Sequence, residues 1–121
     1  MNTTDFLNLL KKAIPATNPT LIIEKKYNTR LNHDLQCLLA LCKEATFWDG
    51  NRFCKLLSLS EITQASENLH VDFISKKIIP FFDCGENDFI IYLSDEDKWA
   101  MFNIIDEVTW KMTRNLSDLL P

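Results

Sequence analysis

The sequence predicts an α+β fold: an antiparallel β-meander of about four to six strands, with N-terminal and inserted helices packed on one face and a short C-terminal helix. Three observations carry that expectation. Apolar residues recur at helical spacing through the N-terminal third, a hydroxyl stands three residues ahead of a carboxylate at Ser58 and Glu61, and from Ile78 onward apolar runs of strand length alternate with acidic turns. The 121 residues suit one domain, spanning 1–121, and 46% apolar with 25% charged residues lies in the ordinary globular range. Two glycines and four prolines are too few for a linker-rich chain.

Phe6, Leu9, Leu10, Ala13 and Ile14 form one apolar stripe on a helix opened by Thr3 or Thr4 and stopped by Pro15. Asn18-Pro19-Thr20 starts a second short helix that ends near Asn28. Asn32 caps a third, on which Leu35, Leu38, Leu39 and Cys42 share the buried side. Thr46 to Gly50 reads as a loop carrying Phe47 and Trp48, and Arg52 to Leu57 as a first strand. The Ser58–Glu61 pair opens a helix over 59–69, with Ile62, Ala65 and Leu69 facing inward.

Val71 to Ile74 reads as a short extended piece or part of a connecting turn. Ile78–Phe82 and Phe89–Leu93 then form a hairpin around the turn Asp83-Cys84-Gly85-Glu86-Asn87. Trp99, Met101 and Ile104 or Ile105 mark a further strand. Val108, Trp110 and Met112 alternate with Thr109, Lys111 and Thr113 as the last one, which places Trp110 in the core. Asn115 caps a terminal helical turn, Leu116 to Leu120.

Several function classes are disfavoured. The N-terminus lacks an export signal, and the longest apolar run, Cys37 to Cys42, is six residues, so a soluble cytoplasmic protein with no membrane partner is expected. Cys37, Cys42, Cys54 and Cys84 suit that compartment as reduced packing residues, and their spacing lacks a C-x-x-C zinc knuckle; no metal or cofactor is expected. A net charge of −4 and scattered lysine pairs disfavour nucleic acid. Enzyme motifs are missing: there is no G-x-S-x-G, H-E-x-x-H, phosphate loop or dinucleotide fingerprint. Cys84 is the one nucleophile on a plausible turn, and packing is its favoured reading. His33 and His70 fall at or near helix ends, so the chain is read as a non-enzyme.

The strongest functional signal is charge. From Asp83 to Glu107 stand eight acids, Asp83, Glu86, Asp88, Asp95, Glu96, Asp97, Asp106 and Glu107, against one base, Lys98; residues 1–82 hold eight acids against ten bases. Strand-forming runs border these acids, so they belong to the turns of a folded sheet, where gathered charge invites a basic partner. They are also compatible with ordinary hydrophilic turns. Trp48, Tyr92 and Trp99 are candidate aromatic anchors beside them, or core residues.

Several segments resemble the SUKH superfamily, which includes yeast cell-wall-synthesis regulators and many bacterial immunity proteins of polymorphic toxin systems. Ile23-Glu24-Lys25-Lys26-Tyr27 with Leu31 to Leu39 is similar to its opening helices, and Leu56 to Ile62 to its strand-to-helix element. Ile79-Pro80-Phe81-Phe82-Asp83-Cys84-Gly85-Glu86-Asn87-Asp88 with Phe89 to Leu93 resembles its hairpin, and Asn115 to Leu120 its closing helix. Asn87 stands where the family hairpin has a second glycine, Asn32 where it usually has proline, and the family's N-G-G turn is missing from Lys43 to Gly50.

The resemblance implies an immunity protein without catalytic residues that binds a cognate toxin domain; the alternative is a regulatory interaction module with no toxin, and of the oligomeric states, which the sequence leaves open, a monomer is favoured. Combined with the acids, it makes a basic, nuclease-type toxin the expected partner. Reversing Asp95, Glu96 and Asp97 to lysine is then expected to abolish protection with the fold intact.

Overall fold

The computed structural model describes residues 2–42, 46–49 and 52–121, with the backbone alone for 47–49. Helix α1 (Thr3–Lys12) is capped one residue ahead of the expected threonines, by the Asn2 side chain accepting from the Asp5 N–H at 2.8 Å. Helix α2 (Thr17–Tyr27) starts earlier than Pro19 because proline in a first turn sacrifices only an N–H that has no helical partner. It ends at Asn28, which takes the left-handed conformation that asparagine tolerates. The Tyr27 hydroxyl then donates to the Ile62 carbonyl at 2.6 Å, tying this helix to the middle of the chain. Helix α3 (His33–Leu39) has the expected cap, Asn32 accepting from the Leu35 N–H at 2.9 Å, and buries Leu35, Cys37, Leu38 and Leu39.

Strand β1 (Thr46–Asp49) replaces the expected loop. Its backbone pairs antiparallel with β2 (Arg52–Leu56), from Thr46 opposite Lys55 to Asp49 opposite Arg52. The single helix expected over 59–69 is two, α4 (Leu59–Thr63) and α5 (Ala65–Leu69), divided at Gln64.

The capping box at the start of α4 is complete. The Ser58 hydroxyl accepts from the Glu61 N–H at 3.1 Å, and the Glu61 carboxylate accepts from the Ser58 N–H at 3.0 Å. That backbone bond, then the Ser58 hydroxyl and Lys55, hold the Glu61 carboxyl below its usual range. A depressed folded pKa means stabilisation present above the unfolded value, about 4.3, and lost as pH falls through the folded one. Ser58→Ala is therefore expected to cost about 1 kcal/mol at neutral pH. Urea unfolding at pH 7 and at pH 3 checks this, with a smaller cost expected in acid.

Helix α6 (Phe73–Lys76) takes the place of the extended or turn segment. Asp72 caps it by accepting from the Ser75 N–H at 3.2 Å, and Lys77 ends it in the left-handed region. The remaining strands are β3 (Ile78–Asp83), β4 (Asp88–Leu93), β5 (Lys98–Asn103) and β6 (Val108–Thr113). With β1 and β2 they form one six-stranded antiparallel meander in sequence order, and the fold is α+β as expected. The C-terminus is a short 3-10 turn, Leu116–Asp118. Asn115 gives it no side-chain cap; instead the Thr113 hydroxyl bonds Asp118 at 2.6 Å and accepts from the Asn115 N–H.

Helices cover both faces at the sheet centre, a fuller layering than the one-face expectation. Phe82 is aligned with Ile90 and Met101, whereas Phe102 is aligned with Phe89, and alternate residues of a strand point to opposite faces. Phe6 of α1 meets the Phe82 ring at 6.0 Å, and Phe73 of α6 meets the Phe102 ring at 6.0 Å. Ile78 to Phe82, Phe89 to Tyr92 and Ala100 to Phe102 are accordingly buried without alternation.

Trp110 is half-buried, while Val108 and Met112 are exposed. β6 is the edge strand, and Trp110, opposite Met101, still packs against the core; beyond it a bulge, with Trp99 paired to Thr113 but Met101 to Trp110, gives β6 one extra residue, and Lys111 sits at φ +55°. Simple alternation fails across such an insertion. Among the described residues no helix is long and apolar enough to cross a membrane.

Candidate protein-binding site

Consecutive turns of a meander lie at opposite ends of its sheet, and that divides the acids. Asp83, Glu86 and Asp88 flank the β3–β4 turn, and Asp106 and Glu107 belong to the β5–β6 turn at the same end; Asp95, Glu96 and Asp97 occupy the β4–β5 turn at the other. The eight acids therefore form two groups, five and three, and not one continuous patch.

The five-acid end is held by its own hydrogen bonds. Asp83 accepts from the Gly85 N–H at 2.9 Å, and Cys84 and Asp88 close the turn by N–H···O bonds of 2.8 and 3.0 Å. Gly85, Glu86 and Asn87 all have positive φ, +81°, +53° and +68°. Asparagine accepts that region better than most residues, which accounts for a glycine being dispensable at Asn87.

The two turns at this end are tied together. The Ile104 N–H donates to the Asn87 carbonyl at 3.0 Å, and the Asn103 amide donates to Asp88 at 2.9 Å. Asn103 also accepts from the Ile105 and Asp106 N–H groups, both at 3.0 Å, an Asx turn that fixes the second acidic loop. Its place, at a strand end directly before an acidic turn, was the sequence signal for it.

Glu107 pairs with Lys76 at 2.9 Å, whereas Glu86 and Asp106 are exposed and have no ion pair among the described residues. Beside Glu86 opens a cleft of about 460 Å³ lined by Arg52, Cys84, Glu86, Asp88, Trp110 and Lys111, among others. Trp110, half-buried and packed against the core opposite Met101 on the edge strand, thus also presents an aromatic surface to this end. Arg52 is anchored through its guanidinium to the Leu119 carbonyl at 2.7 Å.

The three-acid end is more committed to the fold. Asp95 pairs with Lys77 at 3.2 Å, and Asp97 accepts from the Tyr92 hydroxyl and from the Asn32 amide, the latter at 3.2 Å. Tyr92 is 5% exposed, and burial first, then Asp97, raises its phenol. It is an internal support and not an exposed anchor. Reversing Asp97 removes acceptors the fold uses, so the triple lysine substitution is not a fold-neutral probe.

Trp99 stacks edge-on against Phe81 and Tyr92, each at 5.4 Å, and borders a groove of about 540 Å³ with Leu7, Leu10, Leu38 and Leu116, apart from the five-acid cleft. The backbone of Trp48 lies in β1, and its side chain lies outside the described residues. Among the described residues no group of three or more His, Cys, Asp or Glu is placed to hold a metal ion. No family model, curated protein or solved structure matches the chain.

Proposed function

We propose that this chain is an immunity-type binding protein. It docks a cognate, basic toxin domain, of nuclease type, against the five-acid end and silences it by covering its active site or substrate path, performing no chemistry itself. The observation that carries the reading is the set of five carboxylates on two turns hydrogen-bonded to one another, with Glu86 and Asp106 exposed and without an ion pair among the described residues. Preordered charge of one sign steers an oppositely charged partner and resembles the phosphates a nuclease binds. Trp110 supplies an aromatic contact within the polar rim. The SUKH-like segments supply the class, and a cytoplasmic monomer is the form in which the protein acts.

Co-expression with the product of the directly adjacent gene tests the proposal. A stable complex that relieves that product's toxicity is the expected result. A non-toxic neighbour, or a toxin whose activity and solubility are unchanged by this chain, overturns the reading in favour of a regulatory interaction module.

A further inference from the structure

The register of β2 and β3 brings two cysteines together. Lys55 faces Asp83 and Leu56 faces Phe82, while the Leu57 N–H bonds the Phe81 carbonyl at 2.8 Å. Hydrogen-bonded and non-hydrogen-bonded pairs alternate along an antiparallel ladder, so Leu57/Phe81 is bonded, Leu56/Phe82 is not, and Lys55/Asp83 is. One step further along that register, Cys54 meets Cys84 as a non-hydrogen-bonded pair. In such pairs the Cα atoms approach to about 4.5 Å with side chains on one face, within the range a disulfide spans. The two sulfurs are 3.7 Å apart.

Access to the two sulfurs is unequal. Cys54 is fully buried, whereas Cys84 is half-buried and lines the cleft that also holds Arg52. Their contact draws the Cys84 thiol below its ordinary value against the opposing effect of burial, with Arg52 acting in the same sense as the contact, and pushes Cys54 upward. The more accessible member is thus the one from which the contact favours loss of the proton.

We propose that Cys54 and Cys84 are a peroxide-reactive dithiol whose oxidation staples the β1–β2 hairpin to the β3–β4 turn. The Cys84 thiolate attacks one peroxide oxygen and the O–O bond breaks; the departing hydroxide takes a proton to become water, leaving Cys84 as sulfenic acid. The Cys54 sulfur then attacks the Cys84 sulfur, the S–O bond breaks, and the hydroxyl leaves as a second water with the Cys54 proton. Two thiols and one hydrogen peroxide become one disulfide and two waters. A dithiol reductant reverses the change by exchange. The link reinforces a junction whose strand pairing is short, two paired positions and the Leu57–Phe81 bond beside them, and it fixes the residue preceding Gly85 and Glu86 in the acidic turn. This inference stands whether or not the chain binds a toxin.

The test treats the reduced protein with a small excess of hydrogen peroxide, then alkylates in denaturant and maps peptides. Alkylation at two of the four cysteines, a protein about 2 Da lighter before alkylation, and a dithiothreitol-sensitive crosslink between the peptides carrying Cys54 and Cys84 are expected. In Cys54→Ser, Cys84 should persist as a sulfenic acid trapped by dimedone. Four alkylated cysteines after treatment, a crosslink joining Cys37 and Cys42, or overoxidised Cys84 beside an intact Cys54 thiol overturns the proposal. Failure of dimedone to label Cys84 in Cys54→Ser overturns the order of attack.

Discussion

If the chain docks the proposed basic toxin at this end, Glu86→Lys combined with Asp106→Lys is expected to weaken that binding by about tenfold to a hundredfold at low salt, mostly through slower association. Both side chains are exposed and lack ion pairs among the described residues, so the melting temperature should stay near that of the parent. They sit on turns joined by the Ile104–Asn87 backbone bond, so the two reversals act on one field. The control is Asp95→Lys with Glu96→Lys at the far end of the sheet, expected to change affinity by less than about threefold at physiological salt, where a strand's length exceeds the Debye length. Association rates measured across a salt series decide the matter. Equal losses from the two pairs, or a larger loss from the control, would place the docking surface elsewhere.

Local chemistry made much of the fold readable. Asn32 and Ser58 announce helix starts because each carries the oxygen that an unpaired backbone N–H needs within three residues. The hairpin of β3 and β4 follows from apolar runs around a turn-forming segment. What stayed hidden depends on distant pairing. Thr46 to Asp49 become a strand only because Arg52 to Lys55 satisfy their backbone groups, and the bulge at Lys111 depends on how β5 and β6 align.

The site was legible in composition but not in placement. The sequence marks eight acids as an unusual concentration, yet only strand order shows that Asp95, Glu96 and Asp97 leave the sheet at the opposite end from the other five. Spacing could not distinguish Asp97, engaged by Tyr92 and Asn32, from Asp106, which projects to solvent. Trp110 packs against the core as alternation argued, but its place on the edge strand leaves part of the ring lining the cleft, which spacing alone does not show.

Phe82→Ala and Phe102→Ala are each expected to destabilise the protein by about 3–5 kcal/mol. Phe82 is fully buried against Phe6 of α1, and Phe102 is 2% exposed against Phe73 of α6. Removing either ring leaves a cavity beneath a helix that cannot close without shifting the whole element. The two rings lie on opposite faces of the sheet and two strands apart, so their effects should add. The double variant loses about 6–10 kcal/mol, comparable with the whole stability of a domain of this size, and should not fold. Urea midpoints of the single variants, compared at unchanged m-value, measure both costs. A sheet covered by helices on one face alone would leave one of these rings near solvent, and its alanine variant would lose less than about 1 kcal/mol. Two large and independent losses are what a sheet packed on both sides requires.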